Sequence, residues 1–121
     1  MAEIHDITKS DFDTEILGAE GLHMVYYYAP WCKPCGEMAE VIATVADEIS
    51  EKMAVSQVNT DQEGEIVTQQ KIRVLPTFQI FKSGKVLNTL QGPYSKLELL
   101  GQLSNIITDE GSDQPETESE K

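Results

Sequence analysis

A run of apolar and aromatic residues, 22–29, gives way within a few positions to an amphipathic helical pattern opening at Pro34, and the junction between them reads Trp31-Cys32-Lys33-Pro34-Cys35. The run has the length and flanks of a central strand buried on both faces. The pattern over residues 34–51 puts Met38, Val41, Ile42, Val45, Ala46 and Ile49 on one stripe, with Glu37, Glu40, Thr44, Asp47 and Glu48 largely opposite. A buried strand running into an amphipathic helix opens a βαβ unit, and most other arrangements of this stretch are excluded.

The junction holds both cysteines of the chain. Thiols separated by two residues can close a small disulfide ring, and Cys32 sits where the helix begins. There the unpaired N–H groups and the positive end of the helix dipole stabilise a thiolate. Because the thiolate is the attacking species in disulfide exchange, Cys32 is the candidate nucleophile. Pro34 falls in the first helical turn, where its missing N–H costs nothing, and the second sulfur is held close behind the first. Zinc is the rival reading. A structural site needs four ligands, and His5 and His23 lie at no suitable spacing. Both histidines read as ordinary strand or surface residues.

The remaining pattern extends the same architecture. Residues 4–7 read as a short leading strand and residues 10–17 as a helix with Ser10 and Asp13 as cap groups and Phe12 and Ile16 on one face. Ala54–Asn59 is the next buried strand, residues 65–70 a short helix, and Pro76 marks a break after Arg73-Val74-Leu75. Thr77–Lys82 and Lys85–Gln91 form a hairpin turning at Ser83-Gly84. Gly92-Pro93 follows, and Ser95 with Glu98 is a capping-box pattern for a last helix carrying Leu99, Leu100, Leu103, Ile106 and Ile107. Residues 1–107 make one domain. Residues 108–121, rich in Asp, Glu, Ser and Thr, read as a disordered acidic tail.

Charge narrows the partners. The 121-residue chain carries a net charge of −12 with sparse, unclustered Lys and Arg, which argues against nucleic acid or an anionic membrane. No signal peptide or membrane-spanning run is evident, so a cytoplasmic monomer is the expectation. A reducing compartment also suits a cysteine pair that must be recharged after each turnover.

The order βαβαβαββα resembles the thioredoxin family. The motifs carrying the resemblance are Phe12-Asp13, Ala29-Pro30-Trp31-Cys32-Lys33-Pro34-Cys35, Val58-Asn59-Thr60-Asp61, Leu75-Pro76-Thr77, Phe81-Lys82-Ser83-Gly84 and Gly92. The resemblance implies an α/β fold with a central mixed sheet flanked by helices. It implies that Cys32 attacks a substrate disulfide and Cys35 resolves the mixed disulfide, with Trp31, Pro34 and a cis Pro76 in support; Lys33, beside Cys32, is a further supporting residue on grounds of charge. It further implies an apolar lip of Trp31, Val74, Leu75, Gly92 and Pro93 for docking an extended substrate segment. The chemistry would need no cofactor beyond the Cys32–Cys35 disulfide, with disulfide-bearing proteins as substrates and a flavin thioredoxin reductase as electron donor.

Several positions depart from the family pattern. Lys33 stands where glycine is usual; a cation there favours the Cys32 thiolate and a more oxidising disulfide, unless solvent screens it. Tyr26 and Gln57 stand where the family usually has a buried aspartate and a lysine. Losing both charges together is coherent, because one member of a buried ion pair left alone is costly. The expected result is a stable site with slower activation of Cys35, its proton acceptor left open among Tyr26, Glu37 and water. Glu40 replaces a helix proline, Gly36 a basic residue and Val74 a common glycine. The reading is a protein-disulfide reductase. A more oxidising thiol oxidase or isomerase and a thioredoxin-fold binding module are the alternatives.

Overall fold

The central apolar run forms the strand on which the other elements are arranged. The computed structural model describes residues 4–111. In chain order it comprises a short helix α1 (Lys9–Asp11) continued by a π-helical stretch (Phe12–Leu17), then β1 (Leu22–Tyr28), α2 (Lys33–Ile49), β2 (Ala54–Asn59), α3 (Gly64–Gln70), β3 (Thr77–Lys82), β4 (Lys85–Gln91) and α4 (Lys96–Gly111). The four strands form one mixed sheet in the order β2-β1-β3-β4, with β1 parallel to β2 and antiparallel to β3. Helices flank it, as in a thioredoxin fold.

β1 is buried from His23 to Tyr27, so its alternating side chains feed two cores. Met24 and Tyr26 pack with Met38, Ile42 and Val45 of α2 and Leu99 and Leu103 of α4. Val25 and Tyr27 pack on the other face with Phe12, Ile16 and Ile66. Each such large side chain contributes about 1.5–3 kcal/mol when fully buried. Polar atoms on this strand find partners. His23 Nε2 lies 2.8 Å from Ser56 Oγ and the Tyr27 hydroxyl donates to Gln79 Oε1 at 2.6 Å. Burial holds the His23 imidazole below its usual pKa. Among the described residues no helix is long and apolar enough to cross a membrane.

The N-terminal segment differs from the sequence expectation. The leading strand at residues 4–7 is reduced to one parallel bridge, Asp6 with Gln57, closed by Ile7 N–H to Gln57 O and Gln57 N–H to His5 O, both at 3.0 Å. Pairing stops there because Thr8 already caps a helix, its hydroxyl accepting from Asp11 N–H at 3.3 Å. Thr8, rather than Ser10 or Asp13, is therefore the cap; Asp13 instead pairs with Lys9 at 2.8 Å. The helix widens beyond Asp11, where the Thr14 hydroxyl donates back to the carbonyls of Ser10 and Asp11. Such back-bonding competes with the regular ladder.

At the C-terminal end the capping box forms as expected: Ser95 N–H donates to Glu98 Oε1 at 2.9 Å and Glu98 N–H to Ser95 Oγ at 3.2 Å. The helix runs to Gly111, beyond the expected end at residue 107, and Lys96 ties it to Glu48 of α2 at 2.7 Å. Of the expected acidic tail, residues 112–121 lie outside the described ones.

The β3–β4 turn has Ser83 at φ 50° and Gly84 at φ 82°, the two left-handed residues of a type I′ hairpin. A Cβ on Gly84 would collide with the Leu17 carbonyl oxygen, whereas one on Gly101, in α4, would meet nothing within 4 Å. Gly84→Ala is therefore expected to lower unfolding stability by about 2 kcal/mol or more. Gly101→Ala is expected to raise it by roughly 0.5–1 kcal/mol. Urea denaturation of the two variants measures both effects, and equal midpoints would contradict them.

Candidate active site

α2 begins with a sulfur. Cys32 is the N-cap residue, in extended backbone conformation, and its Sγ accepts a hydrogen bond from Cys35 N–H at 3.2 Å. Caps of this kind are usually oxygen atoms of Ser, Thr, Asp or Asn. Here the orphan N–H of the first turn points at the atom that must carry negative charge when reduced. Gly36 N–H donates to Cys32 O at 3.2 Å and Cys32 N–H to Ala29 O at 3.1 Å, which fixes the approach to the helix. Cys32 and Cys35 form a disulfide with their Cα atoms 5.2 Å apart. Cys32 is 6% and Cys35 3% exposed. Pro34 lies in the first turn, where no backbone donor is needed.

Around the disulfide the residues of the expected lip differ in exposure. Trp31 is 70% exposed, and its indole Nε1 donates to Asp61 Oδ1 at 3.0 Å, which ties it to the loop after β2. Val74 is exposed, its carbonyl accepting from Thr77 Oγ1 at 2.6 Å. Leu75 is half-buried and packs against the cluster containing both cysteines. Pro76 is buried, and its carbonyl accepts from Gly92 N–H at 3.1 Å, drawing the Leu75-Pro76 and Gly92-Pro93 segments together. The Leu75–Pro76 peptide is cis, and so is Gly92–Pro93, which the sequence reading does not anticipate. Lys33 is exposed, so solvent screens its field at Cys32.

Behind the disulfide lies a cavity of about 230 Å³ lined by Cys32, Cys35, Gly36, Tyr26, Tyr28 and Gln57, among others. The Tyr26 hydroxyl donates to Cys35 O at 2.9 Å, and its ring stacks on Phe78 at 5.2 Å and on Tyr28 at 5.7 Å. Burial, with Tyr28 adding to it, pushes the Tyr26 phenol up, so it stays protonated at neutral pH. Tyr26 is thereby a donor fixed on the backbone and is removed from the candidate bases. Glu37 and Glu40 are not among the residues lining the cavity.

Sequence reasoning missed Asp6. Its Oδ1 accepts from the Tyr28 hydroxyl at 2.7 Å and from Gln57 Nε2 at 2.9 Å. Register explains the meeting: Tyr26 pairs with Gln57 across β1 and β2, and Gln57 pairs with Asp6 across the bridge. Paired residues project to the same face of a sheet. The available signal was the expected leading strand itself, which places Asp6 and Gln57 side by side once paired in parallel with β2.

Fold and site together define an oxidoreductase of disulfides, with its redox pair at a strand-to-helix junction. The family model described as Thioredoxin matches residues 3–105. A thioredoxin of Griffithsia pacifica is 37% identical over 104 residues, covering 86% of this chain and 95% of that protein. Thioredoxin 1 of Nostoc sp. is 34% identical over 99 residues, 82% of this chain and 92% of its own. The M-type chloroplastic thioredoxin of Spinacia oleracea is 36% identical over 108 residues, 89% of this chain and 60% of the longer spinach protein. The chain belongs to the thioredoxin family.

Tyr28 titration tests the Asp6 contact. Burial first, and then the hydrogen bond and negative charge of Asp6, push the Tyr28 phenol up to about 12. A raised phenol pKa stabilises the fold fully below the unfolded value of about 10; that contribution is lost as pH rises through about 12. In Asp6→Asn the Tyr28 ionisation, followed by NMR of the tyrosine ring, should fall toward 10 while staying above it. An unmoved midpoint would remove Asp6 as the partner.

Proposed function

We propose that this protein reduces protein disulfides by dithiol–disulfide exchange. The observation that carries the reading is the sulfur cap of α2: Cys32 Sγ receives the Cys35 N–H at the positive end of a 17-residue helix. In the reduced protein the Cys32 thiolate attacks one sulfur of a substrate disulfide. A Cys32–substrate disulfide forms, and the other substrate sulfur leaves as a thiolate. Cys35, deprotonated, then attacks Cys32 Sγ, closing the Cys32–Cys35 disulfide and expelling the second substrate thiolate. The substrate gains two electrons and the dithiol loses them.

Substrate docking falls to the lip of Trp31, Val74, Leu75, Gly92 and Pro93. Trp31 and Val74 expose apolar surface, and an extended segment laid beside Leu75 could pair with its main chain. The disulfide itself carries the electrons, with no further cofactor. A flavin thioredoxin reductase restores the dithiol. A monomer working in the cytoplasm fits this cycle, since the pair must be kept reducible. The net charge of −12 fits protein substrates rather than nucleic acid or membrane.

Insulin reduction coupled to a thioredoxin reductase tests the reading. Turnover should vanish in Cys32→Ser, while Cys35→Ser should accumulate a mixed disulfide detectable by mass. Substrate capture that survives Cys32→Ser unchanged would favour a binding module instead.

Screening of Lys33 sets a second expectation. The reduction potential of Lys33→Gly should differ from that of the unaltered chain by less than about 30 mV, the equivalent of tenfold in the equilibrium constant. The measurement is equilibration with a thiol buffer. A larger move toward the reducing end would restore the oxidase or isomerase reading.

A further inference from the structure

Cys35 must become a thiolate to resolve the mixed disulfide, yet it is 3% exposed. A proton leaving it needs a route and an acceptor. The cavity of about 230 Å³ is lined by Cys35 together with Tyr28 and Gln57. That volume is well above the roughly 15 Å³ one water requires, and the Tyr28 hydroxyl and Gln57 amide supply polar partners. Tyr26 faces the same space, but its hydroxyl is committed to Cys35 O. At the Tyr28–Gln57 wall a single carboxylate oxygen, Asp6 Oδ1, takes both their hydrogen bonds, at 2.7 and 2.9 Å. Asp6 is also exposed, so the same side chain meets bulk solvent.

We propose that Asp6 is a positioning residue for the resolving step, drawing the Cys35 proton through water in the cavity and passing it to solvent. The inference rests on the dithiol reading above. Asp6 does not itself line the cavity, so in the step the Cys35 S–H bond breaks, its proton moves by way of water to the Tyr28 hydroxyl, and the hydroxyl passes its own proton to the Asp6 carboxylate. The freed electron pair forms the Cys35–Cys32 bond, the Cys32–substrate bond breaks, and the substrate leaves as a thiolate. Asp6 then releases the proton to solvent. The groups facing this path are Tyr26 and Tyr28 from β1, Cys32 and Cys35 from α2 and the neutral Gln57 from β2; His5 adjoins Asp6 in the chain. The path uses no charge at Tyr26 or Gln57, and so suits a site where both family charges are replaced.

The test mixes the reduced full-length chain with dithiobis(nitrobenzoate) in a stopped-flow instrument. One coloured thiolate is released when Cys32 attacks and a second when Cys35 resolves. In Asp6→Asn the first release should be unchanged and the second slowed by about tenfold or more at pH 7, within the usual scale of proton-transfer assistance. The gap should narrow near pH 9.5, where far more hydroxide is present to take the proton without Asp6. Asp6→Glu should retain most of the rate, and added acetate should accelerate the second release in Asp6→Ala. An unchanged second release at pH 7 overturns the proposal, and so does a slowing of equal size at both pH values, which marks a structural role. A faster second release also overturns it, being the sign expected if loss of a nearby negative charge simply eased Cys35 ionisation. If the unaltered chain gives no second release, the dithiol reading itself fails.

Discussion

Everything in this molecule is arranged around a strand that solvent does not reach. Because β1 is buried from His23 to Tyr27 on both faces, each polar atom it carries must be matched inside the protein, and each match reaches into another element. Tyr27 reaches Gln79 on β3, His23 reaches Ser56 on β2, and Tyr26 reaches the backbone of Cys35 in α2. The last of these couples the sheet to the redox pair. A side chain that satisfies its own burial requirement thereby orients the first turn of the helix that performs the chemistry.

The same requirement accounts for the neutral character of the space behind the disulfide. A lone carboxylate or ammonium at Tyr26, which is buried, would have to be desolvated without an opposite charge beside it, at a cost of several kcal/mol. Here neither position is charged, and the carboxylate in the row sits one strand further out, at Asp6, where it is exposed. Aromatic stacking of Tyr26 between Phe78 and Tyr28 fills the interior positions instead. The site thus keeps a polar connection to its surroundings while leaving its buried part free of ionic groups.

Much of this was legible in the residue pattern, and the reasons are specific. α2 announces itself through a long amphipathic stripe, and the hairpin through Ser83-Gly84 between two strand-like runs; β2, β3 and β4 fall on the expected residues. Local periodicity and turn chemistry determine those elements. The N-terminal segment was less legible because its structure depends on competition. Thr8 diverts the chain into a helix before a strand can lengthen, and Thr14 widens that helix by bonding back to its carbonyls. At the site, the two cysteines, their roles in the helix cap and the Tyr26–Gln57 replacement could be read from spacing and family pattern. Asp6 was missed although the expected leading strand pointed toward it, because its place follows from strand register, a long-range property that links residue 6 to residue 57. Lys33 shows the converse limit: its identity was plain, but its weight depends on exposure.

The sulfur that caps α2 belongs to the helix and to the reaction at once. In the oxidised chain it is at once one end of a covalent ring and an acceptor for the helix's own N–H. Folding and electron transfer therefore form a closed thermodynamic cycle. Any difference in conformational stability between the dithiol and disulfide forms equals, by necessity, the difference between the potential of the folded pair and that of the same two cysteines in the unfolded chain. Seen in this way, the helix terminus is a converter: mechanical order at the start of α2 is expressed as a preference for holding or surrendering two electrons.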